Sequence, residues 1–243
     1  MSEITCIFDG SHLKHQPQPI ALANKKSVMD RTLTLDTRIA LAGVQLNGQL
    51  VLPEHPKGLI VFAHGSGSNR FSKRNRQVAQ YLQQQQFGTL LFDLLTEEES
   101  NYPEYRLDTA LLSQRLIHVT HWLQQKEATR DLKMGFFGSS TGAAAALEAA
   151  ATLPGIRAVV CRGGRPDLAW HSLPFVRAAV LLLVGTKDPE VLQLNEAAFR
   201  HLKCIRELEL VEGATHLFEE PGALEEVCRA AGRWFQQHLN GHA

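Results

Sequence analysis

The most informative segment of this chain reads Lys133-Met134-Gly135-Phe136-Phe137-Gly138-Ser139-Ser140-Thr141-Gly142-Ala143-Ala144-Ala145-Ala146. It predicts a short apolar strand, then a Gly-x-Ser-x-Gly turn, and then a helix built from small residues. A turn of this kind, the nucleophile elbow, pushes a serine hydroxyl toward solvent. Ser140 is the candidate nucleophile rather than Ser139, because only Ser140 has glycine two positions before it and two positions after it.

Gly138 and Gly142 give the motif its physical basis. A turn this sharp leaves no room for Cβ atoms where neighbouring backbone crosses it, and glycine also adopts positive φ without steric cost. Taken alone, the motif is weak evidence, since a turn rich in Gly and Ser after a strand is often only a turn. Its interpretation therefore depends on the rest of the chain.

Charge and hydropathy exclude several classes of partner. Lys and Arg together number 25, as do Asp and Glu, so the 243-residue chain has no formal net charge and no field that draws it to nucleic acid. No apolar run approaches the roughly 20 residues that span a bilayer, and the N-terminus lacks the apolar core of a signal peptide. We expect a cytoplasmic protein, a monomer or a homodimer, with a small-molecule substrate and no nucleic-acid or membrane partner.

Cysteine and histidine spacing gives no indication of a metal site. The four cysteines, Cys6, Cys161, Cys204 and Cys228, are far apart and form no C-x-x-C pair, so we expect free thiols. The eleven histidines show no spacing that is typical of metal ligands. The sequence therefore predicts no bound metal and no cofactor.

The N-terminal part of the chain differs from the rest. Residues 1–30 are polar and lack hydrophobic periodicity, and we expect a loosely ordered lead-in to one domain over 31–243. Strand-like runs at 39–45 and 49–52 then flank Asn47-Gly48. Both residues of an Asn-Gly pair accept the positive φ of a type I′ turn. We therefore predict an antiparallel hairpin with its turn at Asn47-Gly48.

From residue 58 the chain alternates between short apolar runs and amphipathic runs. Besides the strand of the elbow, the predicted strands lie at 58–63, 88–93, 156–161, 178–184 and 207–211, and the predicted helices at 73–86, 107–125, 191–201 and 223–239. This alternation predicts an α/β fold, a single domain with a doubly wound and mostly parallel sheet and right-handed crossovers.

Two polar side chains follow the last two predicted strands. Asp188 comes after the strand at 178–184, and His216 lies on the loop after the strand at 207–211. Functional groups of open α/β sheets cluster at the carboxyl ends of strands, so both are expected near Ser140. Each has an ordinary alternative: Asp188 could cap the next helix, and His216 could be a surface histidine. The order Ser, Asp, His on separate strand ends favours a catalytic triad.

The chain resembles the α/β-hydrolase superfamily over roughly 38–239, and within it a dienelactone-hydrolase-like branch. The motifs that carry the resemblance are His64-Gly65-Ser66-Gly67, Gly138-Ser139-Ser140-Thr141-Gly142, Gly185-Thr186-Lys187-Asp188 and Gly213-Ala214-Thr215-His216. Dienelactone hydrolases proper have a cysteine nucleophile, whereas this chain has Ser140. The resemblance implies an α/β-hydrolase fold. The 162–177 connection is too short for a large cap domain, and the loop at 94–106 is the candidate cover of the pocket.

Residue chemistry assigns a role to each candidate. His216 would take the proton of Ser140 as general base, and Asp188 would hold the imidazole tautomer and stabilise the imidazolium. The Thr141 backbone N–H, at the start of the elbow helix, would be one donor to the oxyanion. By resemblance to related hydrolases, the Ser66 backbone N–H would be the second.

Several arginines lie on loops that leave the same edge of the predicted sheet. We hypothesise that Arg70, Arg74, Arg162 and Arg165 form a rim that attracts a substrate with a carboxylate or phosphate. The alternative is that these cations are solvated and pair with acidic residues at 97–99 or with Asp167.

These patterns predict a serine hydrolase that cleaves a small ester, lactone or thioester through an acyl-enzyme. Two alternatives stay open. The same triad could pass the acyl group to an acceptor other than water, or the fold could act as a binding or scaffold protein without catalysis.

Overall fold

The structure, a computed structural model, describes residues 32–41 and 43–239. The predicted lead-in at 1–30 lies outside these residues. The described strands are β1 Leu33–Leu41, β2 Val44–Leu52, β3 Leu59–Ala63, β4 Gly88–Phe92, β5 Met134–Ser139, β6 Ile156–Arg162, β7 Ala179–Gly185 and β8 Arg206–Val211. The described helices are α1 Lys73–Gln84, α2 Pro103–Leu107, α3 Thr109–Gln124, α4 Thr141–Thr152, α5 Pro189–His201 and α6 Ala223–Leu239.

The eight strands form one sheet in the order β1-β2-β4-β3-β5-β6-β7-β8. β1 pairs antiparallel with β2, and β2 pairs antiparallel with β4, while every other neighbouring pair is parallel. The prediction of a mostly parallel sheet with an N-terminal antiparallel hairpin is confirmed. Only two short 3₁₀ turns lie between β6 and β7, so no cap domain is inserted there.

Helices cover both faces of the sheet and divide the core in two. Side chains of α3, α4 and α5 pack on one face, and those of α1 and α6 pack on the other. Strands β3, β4, β5 and β7 are buried along their whole length, which explains why they read as continuous apolar runs. The alanines of α4 let that helix lie close to the sheet, where nine of its residues are buried.

The predicted position of the hairpin turn is wrong. The chain reverses between β1 and β2 at Gly43, which has a φ of 82°, and Asn47-Gly48 lies within β2. Gly48 pairs with Thr37 of β1 and with Phe92 of β4, and a Cβ on it would lie 3.1 Å from the Phe92 Cβ. Glycine is therefore needed here because two strands pack closely around it, and not because the chain turns.

Candidate active site

Ser140 occupies the turn between β5 and α4 in a strained backbone conformation. Its φ is 50° and its ψ is −123°, a combination that residues with a Cβ rarely adopt. The Ser140 N–H donates to the carbonyl of Arg162 at 3.2 Å, which ties the turn to the end of β6. A strained serine between a buried strand and a helix is the geometry of a nucleophile elbow.

The glycines on either side of Ser140 are required by close packing. A Cβ on Gly138 would lie 2.5 Å from the Ala143 Cα, and a Cβ on Gly142 would lie 2.3 Å from the Ala63 carbonyl oxygen. Both neighbours are backbone atoms, which cannot move aside without moving β3 or α4. The steric reason that the sequence suggested for these glycines is therefore present in the structure.

Asp188 and His216 are in direct contact at the ends of β7 and β8. The His216 Nδ1 lies 2.7 Å from the Asp188 Oδ2, a short hydrogen bond in which the ring N–H donates to the carboxylate. Asp188 also stands at the N-cap position of α5, but its side chain makes no capping hydrogen bond. The carboxylate thus orients the imidazole, which leaves Nε2 of the neutral tautomer as an acceptor.

Ser140 and His216 flank the same short segment at the end of β6. The Ser140 N–H bonds to the Arg162 carbonyl, and a Cβ on Gly163 would lie 3.4 Å from the His216 Cε1. No hydrogen bond joins the Ser140 hydroxyl to His216, although both residues are described. Catalytic hydrogen bonds of free enzymes are often long and tighten when substrate binds. The structure brings the three candidates to one edge of the sheet, with Asp188 and His216 as the bonded pair.

The Ser66 backbone N–H points at the elbow, where it donates to the Thr141 Oγ1 at 2.8 Å. The two N–H groups that the sequence suggested as oxyanion donors therefore belong to residues in direct contact. In the structure the Ser66 N–H has the threonine hydroxyl as its acceptor. A developing oxyanion is a stronger acceptor than a neutral hydroxyl, so it would compete well for this donor.

His64 is a site residue whose role the sequence did not indicate, beyond its place in the His64-Gly65-Ser66-Gly67 motif. Its Nε2 accepts the backbone N–H of Leu94 at 3.0 Å, and its Nδ1 lies 3.1 Å from the Gly65 carbonyl oxygen. Both contacts are satisfied by the neutral ring with its proton on Nδ1. Burial lowers the pKa of His64, which favours that neutral form. The ring thus ties the loop after β3 to the loop after β4.

Three of the four arginines of the hypothesised rim pair with carboxylates. Arg70 pairs with Asp93, Arg74 with Glu219, and Arg165 with Asp167 at 2.8 Å. The pairing with Asp167 is the one that the alternative anticipated. The other two use acidic residues from distant parts of the chain, and these cannot be read from local sequence.

Arg162 differs from the other three arginines because it is buried without a carboxylate. It is 8% exposed, and its Nε and Nη1 atoms have no hydrogen-bond partner among the described residues. Its guanidinium carbon lies 5.9 Å from the ring centroid of Phe218, two residues beyond His216. Burial, together with the nearby charge of Arg74, lowers the pKa of Arg162 to about 10. Arg162 is therefore a cation beneath the site and not part of an exposed rim.

A cavity of about 490 Å³ lies beside the loop after β3. Its walls come from β2, from residues 64–71, from Asp93 and from the loop after β4. That last loop contributes Leu95, Thr96, Glu97 and Ser100, and the helices that follow it contribute Arg106 and Leu112. Tyr102 and Tyr105 lie elsewhere, packed edge to face with ring centroids 6.0 Å apart.

Two further findings concern metals and membranes. Over 32–41 and 43–239, no group of three or more His, Cys, Asp or Glu side chains is arranged to hold a metal ion. Within the same described ranges, no helix combines the length and the apolar character needed to cross a bilayer.

Burial raises the pKa of the Cys161 thiol, so this thiol at the end of β6 stays protonated.

No family model matches the chain. Among solved structures, the dienelactone hydrolase of Anabaena variabilis is 46% identical, with a TM-score of 0.84 over 86% of this chain and 99% of that one. Est1E of Butyrivibrio proteoclasticus is 15% identical, with a TM-score of 0.73 over 85% of this chain and 99% of its own. A dienelactone hydrolase-like promiscuous phosphotriesterase from metagenomic libraries is 18% identical, with a TM-score of 0.71 over 85% of this chain and 98% of its own. The last two share the fold.

Two curated proteins of Mycobacterium tuberculosis are 51% identical to the chain over 207 residues. Both bear a provisional name as phosphoribosyl transferases. The match covers 85% of this chain but 47% of each relative, so the chain spans about half of their length.

Proposed function

Since this chain belongs to the dienelactone hydrolase family of α/β-hydrolases, we propose that it is a serine hydrolase. Its substrate would be a small ester, lactone or thioester, cleaved through an acyl-enzyme on Ser140. Membership of the family supports the hydrolase fold. The serine mechanism is supported by residues of this chain itself. A phosphoribosyl transfer, which the curated relatives' name indicates for those longer proteins, finds no support among these residues.

The observation that carries the proposal is the 2.7 Å hydrogen bond between His216 and Asp188, at the same sheet edge as the strained Ser140. An imidazole oriented by a partly buried carboxylate is the base that a serine hydroxyl needs at neutral pH. Asp188 makes no capping bond at α5, so its carboxylate is available for this role. An aspartate that only capped a helix would face the helix instead.

The proposed reaction proceeds in two halves. The His216 Nε2 takes the proton of the Ser140 hydroxyl while Oγ bonds to the acyl carbon, and the resulting oxyanion accepts the N–H groups of Thr141 and Ser66. The imidazolium then returns its proton to the leaving group as that bond breaks. Water repeats the sequence on the acyl-enzyme, which releases the acid and restores Ser140.

We propose that one of the four arginines, Arg162, attracts part of the substrate from beneath the site without contacting it. Arg162 has no carboxylate partner among the described residues, and it lies at the end of β6, on the side of Ser140 toward His216. A leaving group that receives its proton from His216 departs on that side. An anionic part of the leaving group could therefore compensate the Arg162 charge.

A fluorophosphonate probe tests the proposed nucleophile directly. We expect the purified protein to be labelled at Ser140, and Ser140→Ala to abolish labelling. Ser139→Ala is the matched control, because it removes the neighbouring hydroxyl of the same motif, and it should retain labelling. Folded wild-type protein that resists the probe would contradict the proposal and favour a binding or scaffold role.

A further inference from the structure

The 490 Å³ cavity adjoins the loop after β3, which contacts the elbow. Gly65 lines it, and a Cβ on Gly65 would lie 3.0 Å from the Ser140 Cβ. Ser66 also lines it and donates its N–H to Thr141. The cavity therefore borders the elbow through Gly65 and Ser66.

The sheet order decides which part of a substrate the cavity takes. β2, β3 and β4 lie on one side of β5, and β7 and β8, which bring Asp188 and His216, lie on the other side. The leaving group must be near His216 to receive its proton. The acyl part then extends to the opposite side, where the cavity is.

Neutral side chains that can form hydrogen bonds are the largest class in the cavity wall, and the apolar side chains are Phe71, Leu95 and Leu112. The neutral polar class includes Gln45, Asn47, Ser68, Asn69, Thr96 and Ser100. Gln45 and Asn47 share one face of β2, and neither side-chain amide has a hydrogen-bond partner among the described residues. An apolar acyl chain would exclude water from these amides without replacing its hydrogen bonds, which is unfavourable.

The formal charges around the cavity cancel. Arg70 and Asp93 pair with each other, and Arg106 and Glu97 contribute one charge of each sign. An anionic acyl group would meet Glu97 as well as Arg106, so the wall offers it no net attraction. A neutral group is therefore favoured over a carboxylate at this position.

We propose that this cavity binds a neutral acyl group that carries several hydroxyl groups, as in an ester or lactone of a sugar acid. Hydroxyl groups donate and accept, so they satisfy amide and hydroxyl side chains alike. A volume of about 490 Å³ accommodates a six-carbon polyol chain together with bridging water. The proposal rests on the proposed function, because it assigns the acyl site of the same reaction.

Three esters that share a three-carbon acyl chain test the proposal. Ethyl glycerate has two hydroxyls on its acyl group, ethyl propanoate has none, and glyceryl monopropanoate has two on its alcohol. We expect kcat/KM to be roughly 10-fold or more higher for ethyl glycerate than for ethyl propanoate, after correction for their rates of alkaline hydrolysis. Hydroxyls on the alcohol should change kcat/KM less than 3-fold, about the size of one weak contact.

Variants on β2 assign the preference to the cavity. Asn47→Leu and Gln45→Leu should each reduce the glycerate-to-propanoate ratio roughly 5-fold, the effect of about one hydrogen bond. Gln49→Leu is the matched control, since Gln49 is an amide on the same face of β2 whose side chain bonds to Asp36 outside the cavity. It should leave the ratio unchanged.

Three results would overturn the proposal: a wild-type preference for ethyl propanoate, equal effects of Asn47→Leu and Gln49→Leu, or a preference for the anionic ethyl hydrogen malonate. Fluorophosphonate labelling separates these results from failure of the proposed function. Labelling at Ser140 with no glycerate preference would reject only the acyl class. A wild-type protein without labelling would reject the enzyme itself.

Discussion

Individual residues around Ser140 are constrained by backbone contacts more than by side-chain chemistry. Gly142 lies against the Ala63 carbonyl oxygen, and Gly138 lies against the first turn of α4. The elbow can hold Ser140 at a φ of 50° because β3 packs against Gly142 and α4 packs against Gly138. The strain at the candidate nucleophile is thus maintained by the packing of whole elements.

Gly142→Ala should therefore destabilise the fold. Its Cβ would lie 2.3 Å from the Ala63 carbonyl oxygen, so β3 or α4 must shift. We expect the free energy of unfolding in urea to fall by about 2 kcal/mol or more, as for overpacked cores. Gly155→Ala is the control, because no atom lies within 4 Å of a Cβ at Gly155. Equal stabilities of the two variants would contradict this account of the elbow.

Arg162→Met should leave the fold as stable as the wild type or more stable. Arg162 is buried, and two of its nitrogens have no partner within 32–41 and 43–239; a buried charge without a counter-charge costs several kcal/mol. Methionine keeps much of the volume and removes the charge. We expect an increase of about 1 kcal/mol in the free energy of unfolding. Arg165→Met, which removes the half-exposed partner of Asp167, should change it by less. A large loss at Arg162 would show that its charge has a partner within the fold.

At the scale of elements, the site depends on two loops that the sheet brings side by side. β3 and β4 are neighbouring parallel strands, so the loops after them leave the same edge. His64 bonds across this gap to Leu94, and Arg70 pairs with Asp93. These contacts hold Ser66 against Thr141, which positions the N–H that we propose as the second oxyanion donor.

The hydrogen bonds by which His64 links the loops after β3 and β4 should stabilise the fold less in acid. Its pKa is lowered in the folded state, so the unfolded state binds more protons once the pH falls below the ordinary value of about 6.5. The contribution to stability is therefore complete above that pH and is lost as the pH falls toward the folded pKa. We expect the free energy of unfolding to fall between about pH 7 and 5, and His64→Gln to reduce this dependence.

His238 has to be separated from His64 in this measurement, because burial also lowers the pKa of His238. The comparison is therefore made in a His238→Gln background. A pH dependence that persists unchanged after His64→Gln in this background would reject the role assigned to His64.

Across the whole molecule, the sheet separates the two parts of the proposed site. The side of β5 toward β8 brings Asp188 and His216 to the edge, and the side toward β2 brings the hydroxyl- and amide-lined cavity. Ser140 stands between them. The antiparallel strand β2, which lies outside the parallel part of the sheet, thereby contributes Gln45 and Asn47 to the cavity wall.

Short-range patterns were enough to predict the α/β fold, the elbow and the strand ends that bear Asp188 and His216. Hydrophobic periodicity and turn chemistry depend on residues that are neighbours along the chain. Parallel strands bring their carboxyl ends to one edge of the sheet, independent of the conformation of the loops. The contact between Asp188 and His216 needs little more than this, since both residues lie on the short loops that follow neighbouring parallel strands.

Only the tertiary structure determined the hairpin turn, the partners of Arg70 and Arg74, the acceptor of the Ser66 N–H and the contacts of His64. Each depends on residues far apart in sequence: 23 positions for Arg70 and Asp93, 75 for Ser66 and Thr141, and 145 for Arg74 and Glu219. Asn47-Gly48 has the local chemistry of a turn, but pairing with both β1 and β4 holds it in a strand. Long-range pairing overrides local preference here because each added backbone bond and buried side chain outweighs the small free energy by which an isolated turn is favoured.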